Sequence, residues 1–106
     1  MRTLITALGA AILGLGLTGP AQADPEAAMT KAGCTACHTK DKKLVGPSFK
    51  EIAAKYKGQA GLSAKLMEKV RKGGSGSFGV IPMSPNLPDK ISDADLKAAV
   101  EWILLQ

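Results

Sequence analysis

Apolar residues recur at spacings of three and four along most of the chain, which is the pattern of amphipathic α-helices. The clearest stripe is formed near the carboxyl end by Leu96, Ala99, Val100, Ile103 and Leu104. No pair of segments alternates apolar and polar residues in the way that half-buried strands do. The pattern therefore predicts an all-α fold of three to four helices joined by loops.

Capping residues and glycines mark where each predicted helix begins and ends. Asp24 can cap a first helix that starts at Pro25 and runs to about Gly33. Two further helices are predicted over 48–57 and 63–72, and the last follows Ser92, which has Asp95 three positions on as in a capping box. Residues 73–90 form a long Gly- and Pro-rich segment, which in so small a domain is usually functional or disordered.

Residues 1–23 have the three-part layout of a secretory signal peptide. Arg2 supplies a positive start, residues 4–17 are uncharged and largely apolar, and an Ala-Gln-Ala sequence ends at Ala23. The apolar run is shorter than the roughly 20 residues that span a bilayer, so a transmembrane anchor is the weaker alternative. We expect cleavage after Ala23, which leaves one domain over 24–106 in the periplasm.

The composition of that domain limits its core. Two Phe, one Tyr and one Trp are the only aromatic residues, and a chain this small buries little apolar surface. A large apolar cofactor would supplement such a core. The formal net charge of the full chain, +5, suits an acidic partner, whereas export and the absence of long runs of like charge argue against nucleic acid.

The candidate chemistry lies in Cys34-Thr35-Ala36-Cys37-His38, which has the C-x-x-C-H spacing of haem attachment. Two cysteines three positions apart can lie on one side of a helical turn and reach two vinyl groups on one porphyrin edge. The next residue presents its imidazole to the iron, and it is the only histidine in the chain. The motif predicts one covalently bound haem c.

Other interpretations of the two cysteines are weaker. A disulfide within C-x-x-C closes a very small loop and constrains the unfolded chain little. A thioredoxin-like redox motif needs a βαβ setting, which the pattern does not predict. A zinc site needs four nitrogen or sulfur ligands, and the chain offers three at most.

Three methionines are candidates for a second iron ligand. Met29 lies too close to the cysteines in the first helix to reach the opposite face, and Met67 has the helical spacing of a core residue. Met83 stands between Pro82 and Pro85, which stiffen the backbone around it. We therefore predict Met83 as the ligand. The alternative is that Met83 only fills a gap in the packing.

These stretches together resemble the class I cytochromes c, specifically the small bacterial cytochrome c-551/c-552 group. The resemblance covers nearly all of 24–106, with matching stretches at 33–38, 44–49, 53–56, 81–83, 85–86 and 101–104. It implies axial ligation by His38 and Met83, and a hydrogen bond from the His38 ring to the Pro47 carbonyl. It also implies that the first helix packs across the last, with Gly33 allowing a close approach to the Trp102 region.

The sequence departs from this family where relatives hydrogen-bond the haem propionates. Phe78 stands where many relatives have an indole, and a phenyl ring cannot donate. Lys69 corresponds to an arginine of those relatives, and Arg71 follows two positions on. We expect Phe78, Lys69 and Arg71 near the cofactor, with the propionate hydrogen bonds left undefined.

The resemblance implies a monomeric, monohaem carrier of single electrons and not an enzyme, since the chain has no residue set for acid–base or nucleophilic catalysis. Its partners would be respiratory, photosynthetic or denitrifying redox proteins such as a reductase, an oxidase, a nitrite reductase, a peroxidase or a reaction centre. The alternatives are a haem-based gas sensor with a displaceable Met83, and a thiol–disulfide oxidoreductase.

Lysines in several segments could surround the exposed haem edge and steer an acidic docking surface towards it. These are Lys31, Lys40, Lys42, Lys43, Lys69 and Lys72. The contact would be small and transient, under about 1,200 Å².

Overall fold

The computed structural model describes residues 24–106 and, of the segment before them, Gly14; the predicted signal peptide otherwise lies outside the described residues. The elements are α1 (Pro25–Ala32), a 3-10 turn (Cys34–Ala36), α2 (Phe49–Tyr56), α3 (Leu62–Lys72) and α4 (Asp93–Leu104). The described residues contain no β-strand, only two isolated bridges. The all-α prediction is confirmed. None of the helices in this part of the chain is long and apolar enough to cross a membrane.

Serine side chains define the starts of α2 and α4. Ser48 and Glu51 form a complete capping box: Ser48 Oγ accepts from the Glu51 N–H at 3.1 Å, and Glu51 Oε2 accepts from the Ser48 N–H at 2.8 Å. At α4, Ser92 Oγ accepts from the Asp95 N–H at 3.1 Å. Only one of the two hydrogen bonds of the capping box predicted at Ser92 therefore forms, because the shorter Asp95 side chain does not accept from the Ser92 N–H. The S-x-x-E spacing at Ser48 was the stronger signal.

Helix α4 is the element against which the other three helices pack. One cluster of buried apolar residues joins them, and it comprises Met29, Phe49, Ile91, Leu96, Ala99 and Val100. Trp102 and Met67 are partly buried and pack against this cluster. The first helix thus lies against the last, as the resemblance implies.

Gly33 is needed for a reason other than the expected one. An added Cβ at Gly33 would meet no atom within 4 Å, so the expectation of a close approach to the Trp102 region there is wrong. The residue has a φ of 89°, in the left-handed region, and its N–H bonds to the carbonyls of Met29 and Thr30. Glycine therefore ends α1 and turns the chain towards the cysteines.

The Gly- and Pro-rich segment after α3 folds back on the end of that helix. Gly74 and Met83 exchange two backbone hydrogen bonds of 2.9 Å. Gly73 has a φ of 68°, and an added Cβ would lie 2.4 Å from the Met83 carbonyl oxygen. The buried Asn86 donates its N–H to the Val70 carbonyl at 3.1 Å. These contacts place Met83 beside α3.

Replacing Ser48 by Ala removes a buried cap and leaves the Glu51 N–H without its acceptor. We expect a loss of about 1–2 kcal/mol in the free energy of unfolding, measured by guanidinium denaturation of the haem-loaded protein. Ser92→Ala is the matched comparison, because Ser92 is exposed and water can replace the lost bond. Its expected loss is about 0.5–1 kcal/mol. Equal losses for the two variants would contradict this ordering.

Candidate haem-binding site

The helices and loops surround a cavity of about 520 Å³. All members of the buried apolar cluster line it, so the core of the domain is also the wall of the cavity. The 3-10 turn contributes Cys34, Cys37 and His38 follow the turn directly, and the segment after α3 contributes Met83. The structure therefore brings the predicted attachment and ligand residues to one place.

Cys34 and Cys37 lie on one turn at the cavity. The Cys37 N–H donates to the Cys34 carbonyl at 3.2 Å, and both side chains are half-buried free thiols. Burial raises the pKa of the Cys34 thiol. A raised pKa disfavours the thiolate that thiol–disulfide exchange requires, and no βαβ unit is present in residues 24–106. The thiol–disulfide oxidoreductase alternative therefore lacks a structural basis.

A zinc site is also not supported. Within residues 24–106, no group of three or more His, Cys, Asp or Glu side chains is placed to hold a metal ion. A structural zinc would need four such ligands in tetrahedral order. The cysteine pair and its histidine are therefore best interpreted together with the large cavity beside them.

The His38 ring is held by a hydrogen bond of 2.7 Å between its Nδ1 and the Pro47 carbonyl oxygen. This is the bond that the resemblance implies. A carbonyl oxygen can only accept, so Nδ1 donates the proton of this bond. Nε2 is thereby left as the ring nitrogen that a metal could bind, in an orientation that the protein fixes.

Two further neighbours, which sequence reasoning missed, position the same ring. An added Cβ at Gly46 would lie 2.5 Å from His38 Cε1, so the loop backbone rests directly against the imidazole. Phe49 stacks on His38 with ring centroids 5.8 Å apart, and Trp102 meets Phe49 edge-on at 5.5 Å. Gly46 directly precedes Pro47, and that position is the one signal in the sequence that could have identified Gly46 as a neighbour of the imidazole.

The structure separates the three candidate methionines. Met67 packs against the apolar cluster and is absent from the cavity wall. Met29 also lines the cavity, but it is fully buried in α1 and belongs to the apolar cluster itself. Met83 is half-buried, lines the cavity and comes from a segment remote in sequence from the cysteines.

Of the residues expected near the propionates, Phe78 and Lys69 line the cavity. Phe78 packs edge-on against Tyr56 at 6.2 Å, and the Lys55 ammonium lies 4.4 Å from its ring centroid. A cation beside Phe78 was not anticipated from the sequence.

Arg71 is placed elsewhere. It does not line the cavity, and its guanidinium donates to the carbonyls of Asn86 and Ile91 and to the carboxylate of Asp93. The expectation that Arg71 lies against the cofactor is therefore corrected: its donors bond to the segment after Met83 and to the start of α4.

The residues present fit a haem of the c type. The cavity is of the size that holds a ligand of several hundred daltons, and its wall is mainly apolar. Two thiols border it, an imidazole is oriented by a bond to the loop that follows it, and a thioether comes from a separate segment. Imidazole and thioether are the axial pair of cytochromes c.

Fold and site together define a small all-α haem protein. The model of the family described as cytochrome c matches residues 23–105, and the chain belongs to that family. It binds one haem c covalently and is a monohaem electron carrier, not an enzyme.

Named relatives agree with this assignment. The chain is 56% identical over 82 residues to cytochrome c2 of Rubrivivax gelatinosus, which covers 77% of this chain and 96% of that protein. It is 56% identical over 72 residues to cytochrome c-551 of Azotobacter vinelandii, with coverages of 68% and 84%. The crystal structure of wild-type Nitrosomonas europaea cytochrome c552 superposes with a TM-score of 0.69 at 44% identity, covering 74% of this chain and 95% of that one.

Gly46→Ala should displace the imidazole, because the new Cβ would lie 2.5 Å from His38 Cε1. We expect an altered ferric spectrum and a loss of about 1–3 kcal/mol in the free energy of unfolding. Gly58→Ala is the control: its φ of 78° makes alanine strained, but nothing lies within 4 Å of the added atom. That variant should lose stability with an unchanged spectrum. An unchanged spectrum for Gly46→Ala would show that the ring can move aside freely.

Proposed function

We propose that the protein is a periplasmic single-electron carrier in which Cys34 and Cys37 form the thioethers and His38 and Met83 are the axial ligands. One observation carries the assignment. The two thiols, the thioether and an imidazole whose Nδ1–H is already bonded to Pro47 all border the same cavity. The bound haem supplies an iron that accepts and releases one electron.

The polypeptide holds both ligands in place through its backbone. On the His38 side, the Gly46 N–H donates to the Cys37 carbonyl at 2.9 Å and the Phe49 N–H donates to the Thr39 carbonyl at 2.8 Å. On the Met83 side, the paired bonds with Gly74 do the same. Ligands that stay in place in both oxidation states keep the reorganisation on electron transfer small. The apolar wall excludes water from the ligands.

The thioether of Met83 favours the ferrous state and raises the reduction potential. The gas-sensor alternative requires that Met83 leave the iron easily. The backbone bonds of Met83 with Gly74 and the close approach of Gly73 to its carbonyl oppose such a movement. These contacts support the carrier over the sensor.

The proposed location rests on the amino-terminal pattern of the sequence. A positive start, an apolar run and small residues ending at Ala23 are typical of a cleaved secretory signal, and haem-bound cytochrome domains of this kind function after export. The mature protein would be a monomer comprising residues 24–106. Amino-terminal sequencing of periplasmic material, with Asp24 first, is the direct check.

The surface at the cavity supports an acidic redox partner. Every charged side chain that lines the cavity in the described chain is a lysine, namely Lys43, Lys69 and Lys90. The first two belong to the predicted ring, and Lys90 was not foreseen. Lys72 instead pairs with Glu68 on the surface of α3. Reductases, oxidases, nitrite reductases, peroxidases and reaction centres with acidic docking faces all suit this surface.

Met83→Leu should remove the second iron ligand while keeping the volume of the side chain. We expect loss of the weak ferric absorption band at the red end of the spectrum, rapid CO binding to the reduced protein, and a potential lower by on the order of 0.1 V or more. Met67→Leu is the matched control, since Met67 packs on the core outside the cavity wall. Identical spectra for the Met83 variant and the wild type would refute the ligand assignment.

The lysines at the cavity should make electron transfer depend on the charge of the reagent. Oxidation of the reduced protein by anionic hexacyanoferrate(III) should slow as salt is added, whereas oxidation by a cationic cobalt(III) phenanthroline complex should quicken.

Exchanging the signs of individual charges locates the effect. Lys43→Glu and Lys90→Glu should each lower the hexacyanoferrate(III) rate at low salt by about threefold to tenfold. Lys57→Glu is the control, because Lys57 is exposed and does not line the cavity. Equal effects at all three positions would show that only net charge matters.

A further inference from the structure

An arginine donates hydrogen bonds to the segment that follows Met83. Arg71 lies in the last turn of α3, and its side chain is only 19% exposed although it does not line the cavity. Its Nη1 donates to the carbonyl oxygens of Asn86 at 3.1 Å and Ile91 at 2.8 Å, and its Nη2 donates to the Asp93 carboxylate at 2.6 Å. One side chain thus joins α3, the segment after Met83 and the start of α4.

Asn86 connects Arg71 to Met83. It is 8% exposed, and its amide Nδ2 donates to the carbonyls of Ser84 at 3.1 Å and Val70 at 3.3 Å. Its carbonyl is the one that Arg71 holds. Ser84 directly follows Met83, so a displacement of Met83 away from the cavity would strain the bonds of Asn86, and through Asn86 those of Arg71.

The two carbonyl bonds of Arg71 should matter more than its ion pair. Asp93 is 84% exposed, so water and salt screen its charge. The carbonyls of Asn86 and Ile91 belong to buried residues, and a lost charged donor there leaves acceptors that water reaches poorly. The forked guanidinium reaches both carbonyls at once, which the single ammonium of a lysine does less well.

We propose that Arg71 is a positioning residue for Met83: by joining the carbonyls of Asn86 and Ile91 it keeps the segment between Met83 and α4 closed, and so sets how readily the thioether leaves the iron. The inference rests on the proposed function, in which Met83 is an axial ligand. It concerns how readily Met83 dissociates from the iron. That rate does not follow from Met83 being the ligand.

The test compares Arg71→Gln, Asp93→Asn and Lys72→Gln in the haem-loaded protein. Lys72 is the matched control, since it is the neighbouring cation on α3 and, among the residues the structure describes, pairs with the exposed Glu68 alone. Arg71→Gln should raise the rate of CO binding to the reduced protein about tenfold, because Met83 dissociates more often, and should weaken the red ferric band. Asp93→Asn should change the rate by less than about twofold, and Lys72→Gln should leave it unchanged.

Arg71→Lys is a second variant that keeps the proposal testable if Arg71→Gln does not fold. It keeps the charge and the pairing with Asp93, and its CO-binding rate should lie between those of the wild type and Arg71→Gln. A lower thermal midpoint with unchanged CO binding and an unchanged ferric band in both Arg71 variants would overturn the inference and leave Arg71 a purely structural role.

The two proposals fail in different ways. A wild-type protein that binds CO as fast as Met83→Leu would show that Met83 is not a ligand, and would overturn both. A wild-type protein that resists CO, together with Arg71 variants that resist it equally, would overturn only the role of Arg71.

Discussion

The hydrogen bond from His38 Nδ1 to the Pro47 carbonyl is the interaction on which the site depends. It selects one tautomer of the chain's single imidazole and stops the ring from rotating. The imidazole occupies the space into which a side chain at Gly46 would project, so only glycine fits there. The Phe49 ring stacks on the imidazole. A short loop thereby fixes the direction in which the imidazole faces the cavity.

Met83, the proposed second ligand, is positioned by different means. Among residues 24–106 its side chain has no hydrogen bond like that of His38, and its place follows from the backbone on either side of it. Gly74 pairs with it directly, Gly73 allows the close approach, and Asn86 and Arg71 close the segment beyond it. His38 is thus held by a bond to its side chain, and Met83 by the path of the main chain.

Local features of the site could be predicted from sequence, and long-range contacts could not. The C-x-x-C-H motif and the four helices follow from spacing and periodicity, and the neighbouring prolines are what favours Met83 over the other methionines. Arg71 was misplaced because its partners lie 15, 20 and 22 residues away, and no local pattern records such a contact. Gly33 was assigned a packing role because a glycine that ends a helix and one that permits close approach look the same in a sequence.

The same residues form the hydrophobic core and the cavity wall, and this affects how the protein matures. Residues such as Met29, Phe49 and Leu96 belong to the hydrophobic core and also line the cavity that the porphyrin would fill. A polypeptide lacking it would expose that surface to water and gain too little from collapse to offset its conformational entropy. Maturation should therefore run in a set order, with the prosthetic group joined to an extended chain and the tertiary structure condensing around it afterwards.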